Sequence, residues 1–310
     1  MKKVFLSLVA VLLCGIASFA QEPISISSEA DFMKIGKDPN YPANGSYSLE
    51  TDINLGTYDA TSNNFVIETF SGTFNGKDNT ITYQASFTST TDGEKIGLFE
   101  TVSGTITNLN LDANITVSGS NAQIKVGLLC GELANGGTIE FCDVTGNINS
   151  TAKQNWAGNA STGLIIGSNF GDLQYCTGHG NVTGVGYVGG LVGSMGTILE
   201  DCPRGSNPLI KGCYFTGNVT ANNSNSLNFD IGIASGNAQS FGGGICGFLK
   251  EPAIIELCVA EAIVVYGAHG AGIANTRFPI DTFLGTWNND QGGEARNNYC
   301  TGSINGTTIN

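Results

Sequence analysis

Charge is scarce in this chain: only 13% of its 310 residues are Asp, Glu, Lys or Arg. So little charge does not suit a long solvated helical protein or a disordered tail. Arginine is confined to Arg204, Arg277 and Arg296, and no Asp-Asp pair occurs anywhere. The second absence removes the paired aspartates with which an inverting glycosidase would hold its acid and base. Close Cys-x-x-Cys pairs are also missing, which argues against a zinc site. No repeated segment carries a helical apolar period, and Gly and Asn are too frequent for helices. Beyond the first twenty residues, no apolar run could span a membrane.

The charge that is present is acidic, with 13 Lys and Arg against 26 Asp and Glu. Lys2 and Lys3 precede an apolar run from Val4 to Ile16 and then Ser18-Phe19-Ala20. A basic start, an apolar core and a small-x-small end predict a signal peptide over residues 1–20, cleaved before Gln21. Lipoprotein processing at Cys14 is the alternative, but Leu13 stands where a lipobox wants a small residue. Cleavage removes two lysines and no acids, so the formal charge becomes 13 − 2 − 26 = −15. That disfavours nucleic acid and anionic membranes as partners. The destination expected is secreted or cell-surface, extracellular or periplasmic.

What is abundant is glycine, 44 residues of it, and it recurs in a pattern. Val188-Gly189-Gly190-Leu191-Val192-Gly193 has relatives at Ile96-Gly97-Leu98-Phe99, Val126-Gly127-Leu128-Leu129-Cys130-Gly131, Thr162-Gly163-Leu164-Ile165-Ile166-Gly167, Gly242 to Gly247 and His269 to Ala274. After each comes an Ile-x-x-Cys segment or a variant, and most units then close on Thr/His-Gly-Asn/Ser-Ile/Val, around Gly146, Gly180, Gly217 and Gly302. The positions Leu109, Cys142, Cys176, Cys213, Cys258 and Cys300 are spaced by 33, 34, 37, 45 and 42 residues. Periods of this size mean stacked repeats. Short apolar strands separated by Gly and Asn turns predict an all-β parallel β-helix, each coil laying three strands on three faces.

The pairs Ile139/Cys142 and Leu173/Cys176 are three apart, so one straight strand would point them to opposite faces. Both recur and both are apolar, which places a corner between them, at Glu140-Phe141 and Gln174-Tyr175. In the first unit this corner holds Asn108, which tolerates the left-handed conformation. Upstream, Ser28 reads as a helix N-cap with Asp31 as its capping-box acid, and a short helix ending at Gly36 is expected to cover the first open edge. Phe70 to Ile81 reads as two strands around an Asn-Gly turn. The domains are thus residues 1–20, a cap with first coils over 21–95, and repeats over 96–310. Insertions fall at 203–208, 222–235 and 277–293, and in a solenoid such insertions commonly carry binding.

The Gly-Gly-Leu-Val-Gly core at residues 189–193, the Ile-x-x-Cys and Thr-Gly-Asn-Val segments and the stretch from Phe70 to Ile81 resemble the GLUG-motif repeat of secreted and surface bacterial proteins. The resemblance covers most of residues 25–310. It implies a right-handed β-helical, adhesin-like protein and no known activity. Some immunoglobulin A-cleaving metallopeptidases carry similar repeats outside their catalytic part, but the His-Glu-x-x-His zinc signature is absent here.

Candidate residues follow. Cys142, Cys176, Cys213, Cys258 and Cys300 share a repeat slot and read as a buried ladder, with cysteine acting as a small hydrophobe. Cys130 and Cys246 belong to a second ladder with Ile166, Val192 and Ala274. Cys202, beside an insertion, is placed to form a disulfide with Cys213. Phe141, Tyr175 and Tyr299 precede ladder cysteines, and with Trp287 they form a candidate glycan-binding set; the alternative is an aromatic ladder that stiffens the corner. His179 fills the slot of Thr145 and Thr216 and reads as a turn residue. Gly184 to Gly189 matches Gly-x-Gly-x-x-Gly, but no helix start follows, so it is a by-product of the repeat. No metal or cofactor is implied. The function expected is non-catalytic adhesion or glycan binding, the partner an extracellular glycan or host surface protein. A polysaccharide lyase or hydrolase and a structural stalk are the alternatives. The C-terminal segment is expected to stop within or just after a coil and to permit end-to-end self-association.

Overall fold

The computed structural model describes residues 22–119, 123–151, 160–196, 207–222, 224–229, 236–238, 241–249, 252–266, 269–274, 294–305 and 307–309. The expected signal peptide, Cys202 and its expected pairing with Cys213, Arg204, Arg277, Trp287 and most of the three insertions lie outside them.

The chain builds an all-β solenoid of parallel sheets. Sheet I has nine strands, from Ile24–Ile26 through Thr105–Thr107, Thr138–Glu140 and Asp172–Gln174 to Glu294–Arg296. Sheet II, also nine-stranded, holds the long strands, among them Thr80–Ser89, Asn110–Gly119, Asp143–Ser150, Thr177–Val185 and Tyr214–Asn222. Sheets III and IV have six short strands each, such as Lys125–Val126 in III and Cys130–Leu133 in IV. Successive coils run III, IV, I, II and pair in parallel, in register. The expectation of three strands per coil is therefore corrected to four. The recurrent Gly-Leu segment is the bend between III and IV rather than a strand of its own.

Glycine is needed at that bend because backbone meets backbone. A Cβ on Gly189 would lie 1.9 Å from the Val192 carbonyl oxygen, and one on Gly190 would lie 2.0 Å from that of Gly244. On sheet II, Gly146, Gly180 and Gly217 have φ of 142°, 156° and 148°, and a Cβ at each would fall within 1.8 Å of the preceding coil's carbonyl.

The interior is a set of apolar columns. Ile106, Ile139, Leu173, Ile210 and Ile255 stack in sheet I and are fully buried. The second ladder also stands: Cys130, Ile166, Val192, Cys246 and Ala274 are successive partners in sheet IV.

At the N-terminal end the helix spans Glu29–Phe32. The Ser28 hydroxyl accepts from the Asp31 N–H at 3.2 Å, and Phe32 packs edge-on against Phe74 and Phe99. Phe70 to Ile81 differs from expectation. Thr73–Asn75 and Thr80–Ser89 belong to different sheets and do not pair, so Asn75-Gly76 opens a solenoid corner with Lys77 and Asp78 in the left-handed region. His179 lies within a strand, not in a turn. At the other end, Thr307–Ile309 folds back as an antiparallel strand on Tyr299–Ile304.

Candidate functional site

The corner between sheets I and II is a continuous ridge. Asn108, Phe141, Tyr175, Leu257 and Asn297 have φ of 50–57°, and Gly212 completes the series at 62°. A left-handed conformation costs a non-glycine residue about 1–2 kcal/mol. Here it is offset by packing below and by coil-to-coil hydrogen bonds, such as Tyr175 N–H to the Lys211 carbonyl at 2.8 Å.

Side chains on this ridge point to solvent. Phe141 is 53% and Tyr175 46% exposed, and their rings stack at 5.3 Å with an interplanar angle of 11°. A Cβ on Gly212 would lie 2.7 Å from the Tyr175 ring, so that ring covers Gly212. The stack thus offers its edges and the outer face of Phe141.

Tyr299 does not join it. In the last coil the register is Val259 with Tyr299 and Ala260 with Cys300, two residues away from what the motif suggested. Tyr299 therefore belongs to the outward column of Asp143, Thr177 and Tyr214, and Cys300 to the inward column of Val144, Gly178, Phe215 and Ala260.

Cys142, Cys176, Cys213 and Cys258 do form one buried column of free thiols. Each thiol donates to the carbonyl two residues back, at 3.2–3.3 Å. Where Cys300 was expected, Asn298 stands instead: its amide oxygen accepts from Cys258 N–H at 2.9 Å and its amide N–H donates to the Ile255 carbonyl at 3.0 Å. Asn298 thus donates to a carbonyl at the corner as the cysteines do, whereas Leu109 fills the same buried slot in an earlier coil with an apolar side chain. Burial pushes the Cys130 and Cys176 thiols up, and that of Cys246 to about 12.

Beside the ridge lies the outer face of sheet II. Its columns read Asp112, Thr145, His179, Thr216, Glu261; then Asn114, Asn147, Asn181, Asn218, Ile263; then Thr116, Asn149, Thr183, Thr220, Val265. Side chains at every second residue point outward because the strand period is two. Ile263 and Val265, 49% and 45% exposed, make this face apolar at its C-terminal end.

On the opposite edge, the outward sides of III and IV converge. Glu132 accepts from Lys95 at 2.8 Å and also from Lys125, and the two lysines hold its carboxyl low against the upward push of burial. In later coils this crease holds Ser161, Ser168 and Ser194, then Tyr187 stacked on Phe248 at 4.5 Å. At its N-terminal end is a cleft of about 110 Å³ lined by Lys37, Tyr58, Glu68, Glu94, Lys95 and Glu100, among others. Burial, then Glu68 and Glu94, push the Glu100 carboxyl up. The sequence held a signal for this cleft: Glu68 and Glu100 occupy a column that reads Gly131, Gly167, Gly193 and Gly247 in later coils. Among the described residues, no group of three or more His, Cys, Asp or Glu side chains is arranged to hold a metal.

No protein-family model matches the chain, and no curated protein does. Among solved structures it is similar to a Bacteroides ovatus protein described as a putative immunoglobulin A1 protease, with 17% identity and a TM-score of 0.58 over 93% of this chain and 79% of that one. The likeness is one of fold.

Proposed function

We propose that this is a secreted or surface-exposed bacterial solenoid of the GLUG-repeat type, wound right-handed, that binds glycans and serves adhesion without a catalytic step. The observation that carries the reading is the outer face of sheet II. It presents ordered, mostly uncharged amides and hydroxyls beside the exposed Phe141–Tyr175 stack. Hydroxyl-rich ligands are recognised by such donor–acceptor sets together with aromatic surface. The short helix at Glu29–Phe32 serves as the N-terminal cap, and self-association through the strand edges at the C-terminal end accompanies adhesion.

A β-helical lyase or hydrolase is the second reading, favoured by the cleft in which burial, then the neighbouring Glu68 and Glu94, push the Glu100 carboxyl up. A glycan array with residues 21–310, run beside reducing-sugar and unsaturated-uronate assays, tests both. Array binding without product is the expected result. Product formation would replace the first reading with the second, and neither binding nor product would leave a structural stalk.

A further inference from the structure

The asparagine column is a hydrogen-bonded chain with a direction. Asn147 Nδ2 donates to Asn114 Oδ1 at 2.8 Å, Asn181 to Asn147 at 2.7 Å and Asn218 to Asn181 at 2.6 Å. A primary amide has two N–H donors and two acceptor positions. Asn147 and Asn181 each use one of each on their neighbours, which leaves one of each toward solvent, while Asn114 only accepts and Asn218 only donates in the row. Every donor points toward the N-terminal coil, so the row is the same in each coil and cannot be read backwards. It also has ends, since Gln84 precedes Asn114 and Ile263 follows Asn218. The adjoining column changes in step, from Ser86 through Thr116, Asn149, Thr183 and Thr220 to Val265.

We infer that this row is a lane for an extended, neutral, β-linked polysaccharide lying along the solenoid axis, one sugar ring per coil over the four coils of Asn114 to Asn218. The inference rests on the glycan-binding reading above. Coils repeat at the parallel-strand spacing of ~4.8 Å, close to the advance of an extended β-linked chain per ring. Sugar hydroxyls both donate and accept, which matches the pair that each amide leaves free. The four amides are uncharged and the chain carries a net charge of −13, so a polyanionic uronate is repelled and a neutral polymer is not. The common direction of the amides fixes the polarity of the bound chain.

The experiment is calorimetric titration of residues 21–310 with β-1,4-linked gluco- and manno-oligosaccharides of two to six rings. For at least one series, affinity is expected to rise with each ring up to four and to level off at five and six. Asn147→Ala/Asn181→Ala should weaken the four-ring ligand by tenfold or more. Thr183→Val, which leaves the amide row intact, should weaken it several-fold and guards against a folding defect in the double variant. Affinity independent of length, or unchanged in both variants, overturns the lane. So does a protein that binds other array glycans but neither series. Those results leave glycan binding standing, whereas an empty array removes both.

Discussion

Individual side chains report how tightly the coils are set. Gly190 faces the Gly244 carbonyl and the Phe215 ring, and a Cβ there would lie 2.0 and 2.5 Å from them. Gly190→Val is therefore expected to cost several kcal/mol, as overpacking against backbone does, while Thr220→Val, on the half-buried outer face, should change stability by about 0.5 kcal/mol or less. Thermal melting of the two variants checks the difference. Gly190 was legible because it recurs; what it touches was not, since the carbonyl belongs to the next coil. The charges in the crease give a pH signature. Glu132 is held below the usual carboxylate range, so the unfolded chain binds its proton first as pH falls. Its stabilisation is present above the unfolded value of ~4.3 and is lost as pH drops through the lower folded one. Lys125→Met should cost about 2 kcal/mol at pH 7, and its melting temperature should fall less between pH 5 and pH 3 than that of the unaltered protein.

At the scale of the strand and the column, the cysteines were read from their spacing, and four of the five take the expected place. The fifth is displaced, and Asn298 takes the slot with hydrogen bonds to Cys258 and Ile255. Motif spacing alone could not reveal a two-residue shift in register. Because the thiols are buried, Cys142, Cys176, Cys213 and Cys258 should resist alkylation at pH 8 in the native protein and react fully, without reductant, once it is denatured. Peptide mapping after alkylation checks this, and a disulfide among the four would contradict it. The strands of sheet III were not legible, since two residues such as Lys125–Val126 are too few to show a period. The corner was, because Ile139 and Cys142 cannot both face inward on one straight strand, although an aromatic residue gives no hint of a left-handed φ.

For the molecule as a whole, architecture was readable and activity was not. A solenoid's repeat is dictated by its interior, whereas its ligands meet the outward residues, where Thr, His and Glu alternate in one column without harm to the core. The in-register pairing of neighbouring coils has a consequence for how such a chain changes over generations. Residues 143–176 begin just after one ladder cysteine and end on the next, so excising them joins Cys142 to Thr177, and every column continues across the cut. Unequal recombination between two such gene segments would lengthen or shorten the protein by whole turns while leaving each new neighbour a compatible one. The deletion of 143–176 should thus yield a soluble protein with the same circular dichroism per residue and a shorter long axis by small-angle scattering. A lane that counts coils would then recognise one sugar fewer, and reach on a cell surface would be adjustable in steps of a single turn.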